Sequence, residues 1–478
     1  MQMCFLFFLK EEKVMNNVRR WLQRVAIIVL LALPVCAQTK LGTVVFEDSF
    51  SGAPDSGEIA KGWRCWYQGA LPCPQRGISE GDGTKLIVRG TAPSYSSGAY
   101  TILEVPEVMR KQGGNFLVTV EASAPTMIKE VHSAEPNLTH LGVTIYGETT
   151  KEDGSTKPGL YFSYYPTEYE KWNEIGFNIP AYGVSKIMLV VGVFVGDGQA
   201  VFRNVSVKYF EPRSTGAITL QFDDGYKSTY TEAYPLMRQH DLPGSLALVS
   251  SLLGQQEFLT SQDVLAMLGS GWDVLSHSDT HPDLVVLAAE KGTDAVYAEV
   301  LAGKLKLERR FGIGVPHFAA PFGAQNGVTQ SVIDLLFRSQ RTFTSGENYS
   351  GVFSKMVNVF QVYKTTTRDE FYAAIEKARL GAWIIFVFHD IGQVPTDYGI
   401  YPSQFVDLIN AVKSAGVPVV NYRDGFNLFS DEPPSPSRSI VGREPIIRPM
   451  NGRGVDWRTI RSEGRSMGDR PSGQVIQN

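Results

Sequence analysis

The periodicity of the chain changes once, at Glu211-Pro212-Arg213-Ser214, and that change constrains the fold more than any other feature. Before it, short runs of alternating polarity are separated by turn residues: NFLVTVE (115–121), LGVTIY (141–146), GLYFSY (159–164), IMLVVGVF (187–194) and AVFRNVSVKY (200–209). Many short runs with a side-chain period of two predict an antiparallel β-sandwich over 41–211, because each run can bury only one face. After the change, apolar β-rich runs at 217–222, 245–250, 272–276, 317–320, 383–388 and 417–420 alternate with helical patterns at 229–240, 261–268, 295–311, 328–337 and 402–413. A further helix opens on Thr367-Arg368-Asp369-Glu370, a capping box. Such alternation predicts an α/β unit over 215–430, a largely parallel sheet or barrel wrapped by helices, whose functional residues gather at the C-terminal ends of strands.

The two ends of the chain differ from both units. Arg19, Arg20 and Arg24 precede an apolar run at 25–33 and then Pro34-Val35-Cys36-Ala37, the pattern of a signal peptide over 1–37 cleaved after Ala37. That implies an exported chain, periplasmic or secreted, without a retained membrane span. The bulky Val35 argues against lipidation at Cys36. Beyond 430 the run Ser-Asp-Glu-Pro-Pro-Ser-Pro-Ser and the polar residues after it offer too little apolar surface to offset ordering entropy, so 431–478 is expected to be a disordered tail. Of the four cysteines, Cys4 and Cys36 fall in the leader, leaving Cys65 and Cys73 as a candidate disulfide. Lys+Arg 45 against Asp+Glu 49 gives no positive bias, which excludes a nucleic-acid partner.

Three groups of residues carry chemistry. Asp223-Asp224-Gly225 closes the run 217–222, and adjacent carboxylates at a strand end point to different sides, one free to hold a metal and the other to act as a base. The competing reading is an ordinary Asp-Asp-Gly turn. His277-Ser278-Asp279-Thr280-His281 closes the run 272–276; on the first turn of a helix this spacing places both imidazoles on one face, suited to a divalent ion. His389 emerges from the wholly apolar 383–388, either as a proton donor or as a buried structural histidine.

The order FDDG (222–225), HSDTH (277–281), FAAPFG (318–323) and FVFH (386–389) resembles the successive motifs of the polysaccharide deacetylases with the NodB homology fold, carbohydrate esterase family four. The resemblance implies a distorted (β/α) barrel, zinc or a similar divalent metal held by Asp224, His277 and His281, and a polysaccharide substrate. It implies Asp223 as general base, His389 as general acid and the Phe322 backbone amide as an oxyanion donor. Two departures stand out: Ala319 occupies the place where many members carry the arginine that orients the base, and no fourth motif is recognisable between Gly323 and Gly381. The strands that open and close the sandwich resemble those of jelly-roll carbohydrate-binding modules, where Glu47 and Asp48 are either candidates for a structural calcium or solvated turn carboxylates, and Trp63, Trp66, Tyr67, Tyr95 and Tyr100 either sugar platforms or core residues. The implied activity is removal of N-acetyl groups from an amino-sugar polymer; the alternatives are an O-acetyl esterase acting on a polysaccharide such as xylan, and a catalytically weak carbohydrate-binding protein.

Overall fold

The computed structural model describes residues 42–431, apart from 54, 68–74, 80–82, 91–96, 125–141, 165–171 and 195–197. The expected leader with Cys36, the residues Cys73 and Tyr95, and the tail beyond 431 lie outside the described residues.

The first half contains β1 (Thr43–Asp48), β2 (Arg64–Tyr67), β3 (Gln75–Ser79), β4 (Gly83–Gly90), β5 (Ser97–Glu104), helix α1 (Glu107–Gln112), β6 (Asn115–Ser123), β7 (Gly142–Lys151), β8 (Thr156–Tyr164), β9 (Asn173–Pro180), β10 (Val184–Phe194) and β11 (Gly198–Phe210). They form two antiparallel sheets, β3-β4-β11-β6-β9 with β1 also on β11, and β2-β5-β10-β7-β8. The period of two does the sorting: Phe116, Val118, Val120 and Ala122 of β6 are buried and meet Ile187, Leu189 and Val191 of β10 in one core. Each large side chain so buried contributes about 1.5–3 kcal/mol. Asp48 helps to hold this fold: its carboxylate accepts the Phe50 amide (2.8 Å) and the Trp63 indole N–H (2.7 Å). Trp63 is itself fully buried against Phe50, so it is core and not a sugar platform.

The second half closes a barrel of parallel strands: β12 (Ala217–Phe222), β13 (Ser245–Leu248), β14 (Asp273–Ser276), β15 (His317–Ala319), β16 (Ser339–Ser345), β17 (Val357–Gln361) and β18 (Trp383–Phe388). Closure comes from the unbroken register of β12 on β18, Ala217 opposite Trp383 through Phe222 opposite Phe388. Outward side chains Ile218, Leu220, Phe222, Ile384, Phe386 and Phe388 join the core beneath the helices, while Ala217, Trp383, Ile385, Val387, Val357 and Val359 fill the interior. The wrapping helices are α2 (Tyr234–Gln239), α3 (Ser261–Leu268), α4 (Leu284–Lys291), α5 (Thr293–Phe311), α6 (Gly327–Leu336), α7 (Arg368–Arg379), α8 (Pro402–Ala415) and α9 (Tyr422–Phe429). The Thr367 capping box forms as predicted, Glu370 accepting the Thr367 amide at 2.7 Å.

Three local expectations need correction. The predicted helix 229–240 opens with a π-helical turn, Thr229–Ala233, because Pro235 at the start of α2 has no amide with which to continue an ordinary helical ladder. The run 417–420 is not a barrel strand: Val419 makes an isolated bridge to Ile218, covering the part of the β12 edge that the short β13 does not reach, since β13 pairs only with Gln221 and Phe222. Conversely, β16 (SQRTFTS) and β17 (VNVFQ) complete the barrel although neither reads as an apolar run.

The halves are joined at the end of the barrel where the strands begin. Asn178 of β9 donates to the Gly351 carbonyl (2.8 Å) and accepts the Phe353 amide (2.5 Å), and Asn115 donates to the Ser350 carbonyl (3.3 Å). Gly351 and Val352 bond in turn to Phe429, whose ring stacks on Trp383, the first residue of β18. The opposite end of β18, at Phe388, is roughly 17 Å away at a rise of about 3.3 Å per residue.

Candidate metal and proton-transfer site

The predicted residues converge on the C-terminal mouth of the barrel. Asp223 and Asp224 leave β12, His277 leaves β14, Phe322 follows β15, and His389 leaves β18. Asp224 Oδ1 lies 3.5 Å from His277 Nε2 and 3.4 Å from His281 Nε2, and the two imidazole nitrogens are 3.1 Å apart.

The His-x-x-x-His segment is a loop and not the first turn of a helix: α4 begins only at Leu284, capped by Asp283. Pro282 disfavours helical backbone at the preceding His281, and both Ser278 (φ 65°) and His281 (φ 63°) are left-handed. Together with Asp224 (φ 65°) and Phe322 (φ 56°) they make four of the seven non-glycine residues with positive φ among those described. Such backbone costs about 1–3 kcal/mol per residue and survives only where its surroundings over-determine it. Here the surroundings are α5. Glu299 accepts the amides of Asp279 (2.9 Å) and Thr280 (2.5 Å), and Gly303 lies so close that a Cβ would stand 2.5 Å from the Ser278 carbonyl carbon.

Two observations test the fit to a divalent cation. The His277 Nδ1–H donates to the Ala319 carbonyl at 2.8 Å, which leaves the Nε2 lone pair facing Asp224 and His281. The three donor atoms all lie within 4.8 Å of one another, and two imidazoles with one carboxylate are the donor set of a catalytic zinc-type site with open positions. Burial opposes charge on Asp224, but the neighbouring imidazoles, His277 first, prevail and its pKa falls to about 2; burial lowers His281 to about 4. Both are therefore in ligating form at neutral pH.

Asp223 is fully buried, and burial alone would raise its pKa. The Arg341 guanidinium beside it overcomes that and holds the carboxyl below the usual carboxylate range. Arg341 Nη2 donates to one carboxylate oxygen of Asp223 and Gln221 Nε2 to the other (3.0 Å). The partner that Ala319 does not provide thus comes from β16, one strand further round the barrel. Arg341 escaped the sequence reading because 339–345 is polar; reading it with a period of two would have placed Ser339, Arg341 and Phe343 on one face. Phe343 lies under the guanidinium (4.8 Å), packs on Gly323 beside Phe322, and faces His389 at 6.5 Å.

His389 is deeply set; burial lowers its pKa, while Asp223 and Asp224 pull the other way. Its Nδ1 has no hydrogen-bond partner among the described residues, so the missing fourth motif is not replaced there as the third-motif arginine is. Cys65 is disulfide-bonded. No helix among the described residues is long and apolar enough to cross a membrane.

A parallel barrel with a carboxylate and two imidazoles grouped at its mouth, and a second, arginine-paired carboxylate beneath them, belongs to the class of α/β barrels that present a metal-type site at their C-terminal face. Residues 211–336 match the family model described as polysaccharide deacetylase. The matched segment carries Asp223, Asp224, His277, His281 and Phe322, whereas Arg341 and His389 lie beyond it. YxkH of Bacillus subtilis (strain 168), assigned to the polysaccharide deacetylases only provisionally by its own name, is 27% identical over 71 residues, 15% of this chain and 25% of that protein. The chain therefore spans about a quarter of the length of the curated relative it matches.

Among solved structures, the Xyl-CE4 domain of a multidomain xylanase from the hindgut metagenome of Trinervitermes trinervoides aligns at 19% identity over 47% of this chain and 98% of that chain, with a TM-score of 0.35. The chitin deacetylase of Colletotrichum lindemuthianum aligns at 15% identity over 48% and 93%, TM-score 0.35. IcaB from Ammonifex degensii aligns at 19% over 34% and 72%, TM-score 0.31. Similarity at this level carries no information about substrate.

Proposed function

We propose that the protein is an exported, metal-dependent deacetylase that removes N-acetyl groups from an amino-sugar polymer. The observation that carries the reading is the division of labour between neighbours: Asp224 faces the two imidazoles, while Asp223 is turned away onto Arg341 and Gln221. Zinc or a similar ion would be held by Asp224, His277 and His281; when bound, it supplies Lewis acidity toward a carbonyl oxygen or a water. Asp223, kept ionised and oriented by Arg341, accepts the proton of the attacking water. The amide of Phe322, whose ring packs on His281 (4.7 Å) in the left-handed turn after β15, donates to the carbonyl oxygen as negative charge develops on it. His389 Nε2 delivers a proton to the departing nitrogen. Export is supported by the leader pattern of residues 1–37 and by the disulfide at Cys65, a bond characteristic of oxidising compartments.

The test is acetate release by the purified full chain from acetylated glucosamine polymer and from acetylated xylan, paired with metal analysis. Acetate from the glucosamine polymer, lost on chelation and restored by zinc, supports the proposal. Release from xylan alone would replace the amide substrate with an ester, and bound metal without acetate from either polymer would leave a binding protein. Asp223→Asn is expected to keep its metal and lose about 10²–10⁴-fold in kcat.

A further inference from the structure

The segment that follows His389 is unusual in being both irregular and firmly held. The Ile391 amide donates to Ser228 Oγ (3.0 Å), and Ile391 pairs with Ile400 through a bridge in which Gly392 donates to the Ile400 carbonyl (3.1 Å) and Ile400 to the Asp390 carbonyl (3.0 Å). Inside the loop, the Asp390 carboxylate accepts both the amide (2.9 Å) and the hydroxyl of Thr396. Gly399 packs so tightly on Asp390 that a Cβ would stand 2.4 Å from its carboxylate oxygen. Ile391 and Ile400 are buried and anchor the loop's two ends in the barrel.

This fixed loop carries an aromatic side chain that it does not bury. Tyr398 is 59% exposed, yet its ring centroid lies 5.6 Å from that of His389, tilted by 44°, with Tyr363 behind it at 6.1 Å. The bonds at the loop's ends fix its course, and the ring stands at the mouth beside the proposed proton donor. The apolar face of a pyranose ring, with its axial C–H groups, is the partner such a surface accepts at little entropic cost, because the ring is already in place.

We propose that Tyr398 is a binding residue that stacks on the pyranose ring bearing the leaving nitrogen. The inference rests on the function proposed above and deepens it. A leaving nitrogen within reach of His389 places its own sugar ring alongside the same imidazole, where Tyr398 stands. The contact is made through the face of the ring, equally in ground and transition states, so it lowers KM and leaves kcat unaltered.

The experiment compares Tyr398→Ala and Tyr398→Phe in the zinc-loaded full chain acting on an N-acetylglucosamine tetramer. Tyr398→Ala is expected to raise KM about ten-fold with kcat within about two-fold of the parent, and Tyr398→Phe to restore the parent KM. An unchanged KM in Tyr398→Ala, or a Phe variant as impaired as the Ala variant, would overturn the proposal. Tyr182→Ala, which removes a 74% exposed tyrosine from a turn of the sandwich, serves as the control and is expected to change neither constant. Calorimetric titration of the chelator-treated full chain with the same tetramer separates the two proposals. Parent protein that binds the tetramer about ten-fold tighter than Tyr398→Ala, but releases no acetate when loaded with zinc, upholds Tyr398 and defeats the deacetylase reading. Equal binding by both defeats Tyr398 whatever the activity.

Discussion

Arg341 places a full positive charge inside the barrel, and the side chain has no exposed surface. A cation in that position is tolerated because Asp223 neutralises it, and each partner makes the other affordable. Removing one charge and leaving the other is therefore worse than removing both: Arg341→Met strands a buried carboxylate and is expected to cost about 3–5 kcal/mol. The double variant Arg341→Met with Asp223→Asn should recover much of that loss. Chemical denaturation of the parent, both single variants and the double gives the coupling directly; additive effects would mean that the pair does not act as a unit. The same pair marks the limit of what the residues disclosed on their own. Asp223, Asp224, His277 and His389 are legible because they directly follow apolar runs, and His281 through its spacing from His277, whereas Arg341 sits within a polar strand whose partners are set only by barrel closure.

Among the elements, α5 has a role that its helical pattern does not announce. Its length and amphipathic spacing identify it as a helix against the barrel, and the structure agrees over Thr293–Phe311. What the pattern does not convey is that Glu299 and Gly303, four residues apart on one face, form the seat of the loop that carries both candidate histidine ligands. The His-x-x-x-His spacing predicts those histidines on a helix; the strained loop is possible instead because α5 supplies an acceptor for two of its amides and a gap for its backbone. Gly303→Ala is expected to push Ser278 outward and weaken zinc binding by about 10–100-fold, the range seen when outer supports of a metal ligand are lost. Competition against a chromogenic chelator, with circular dichroism to confirm that α5 remains helical, measures it; parent-like affinity would show that the loop holds its shape without the helix.

At the scale of the whole molecule, the sandwich joins the barrel at the end away from the catalytic mouth, so its contribution runs through stability before it runs through substrate. That end of the barrel also encloses a polar cluster that the proposed chemistry does not use. His317 is fully buried, its Nδ1 bonded to Ser339 Oγ (2.8 Å) and its ring set edge-on between Tyr422 and Phe426, each at 5.1 Å. Burial, followed by the nearby charges of Arg338, Arg423 and Lys304, drives its pKa well below the ordinary value near 6.5. The sign follows from linkage. In the unfolded chain His317 takes up a proton as pH drops through about 6.5, while the folded chain refuses it, so below that pH the unfolded state binds more protons and stability falls. The slope is up to about 1.4 kcal/mol per pH unit for this one group until the depressed native pKa is reached. Carboxylates with lowered pKa values, Asp263 among them, add to the loss only nearer their own titration range. Denaturant midpoints measured between pH 7.5 and 5 should therefore decline in the parent and decline less in His317→Gln, which keeps a hydrogen-bonding group toward Ser339 but cannot titrate. Parallel curves for the two proteins would assign the acid sensitivity to other groups, and a rise in parent stability on acidification would contradict the buried, neutral state of His317.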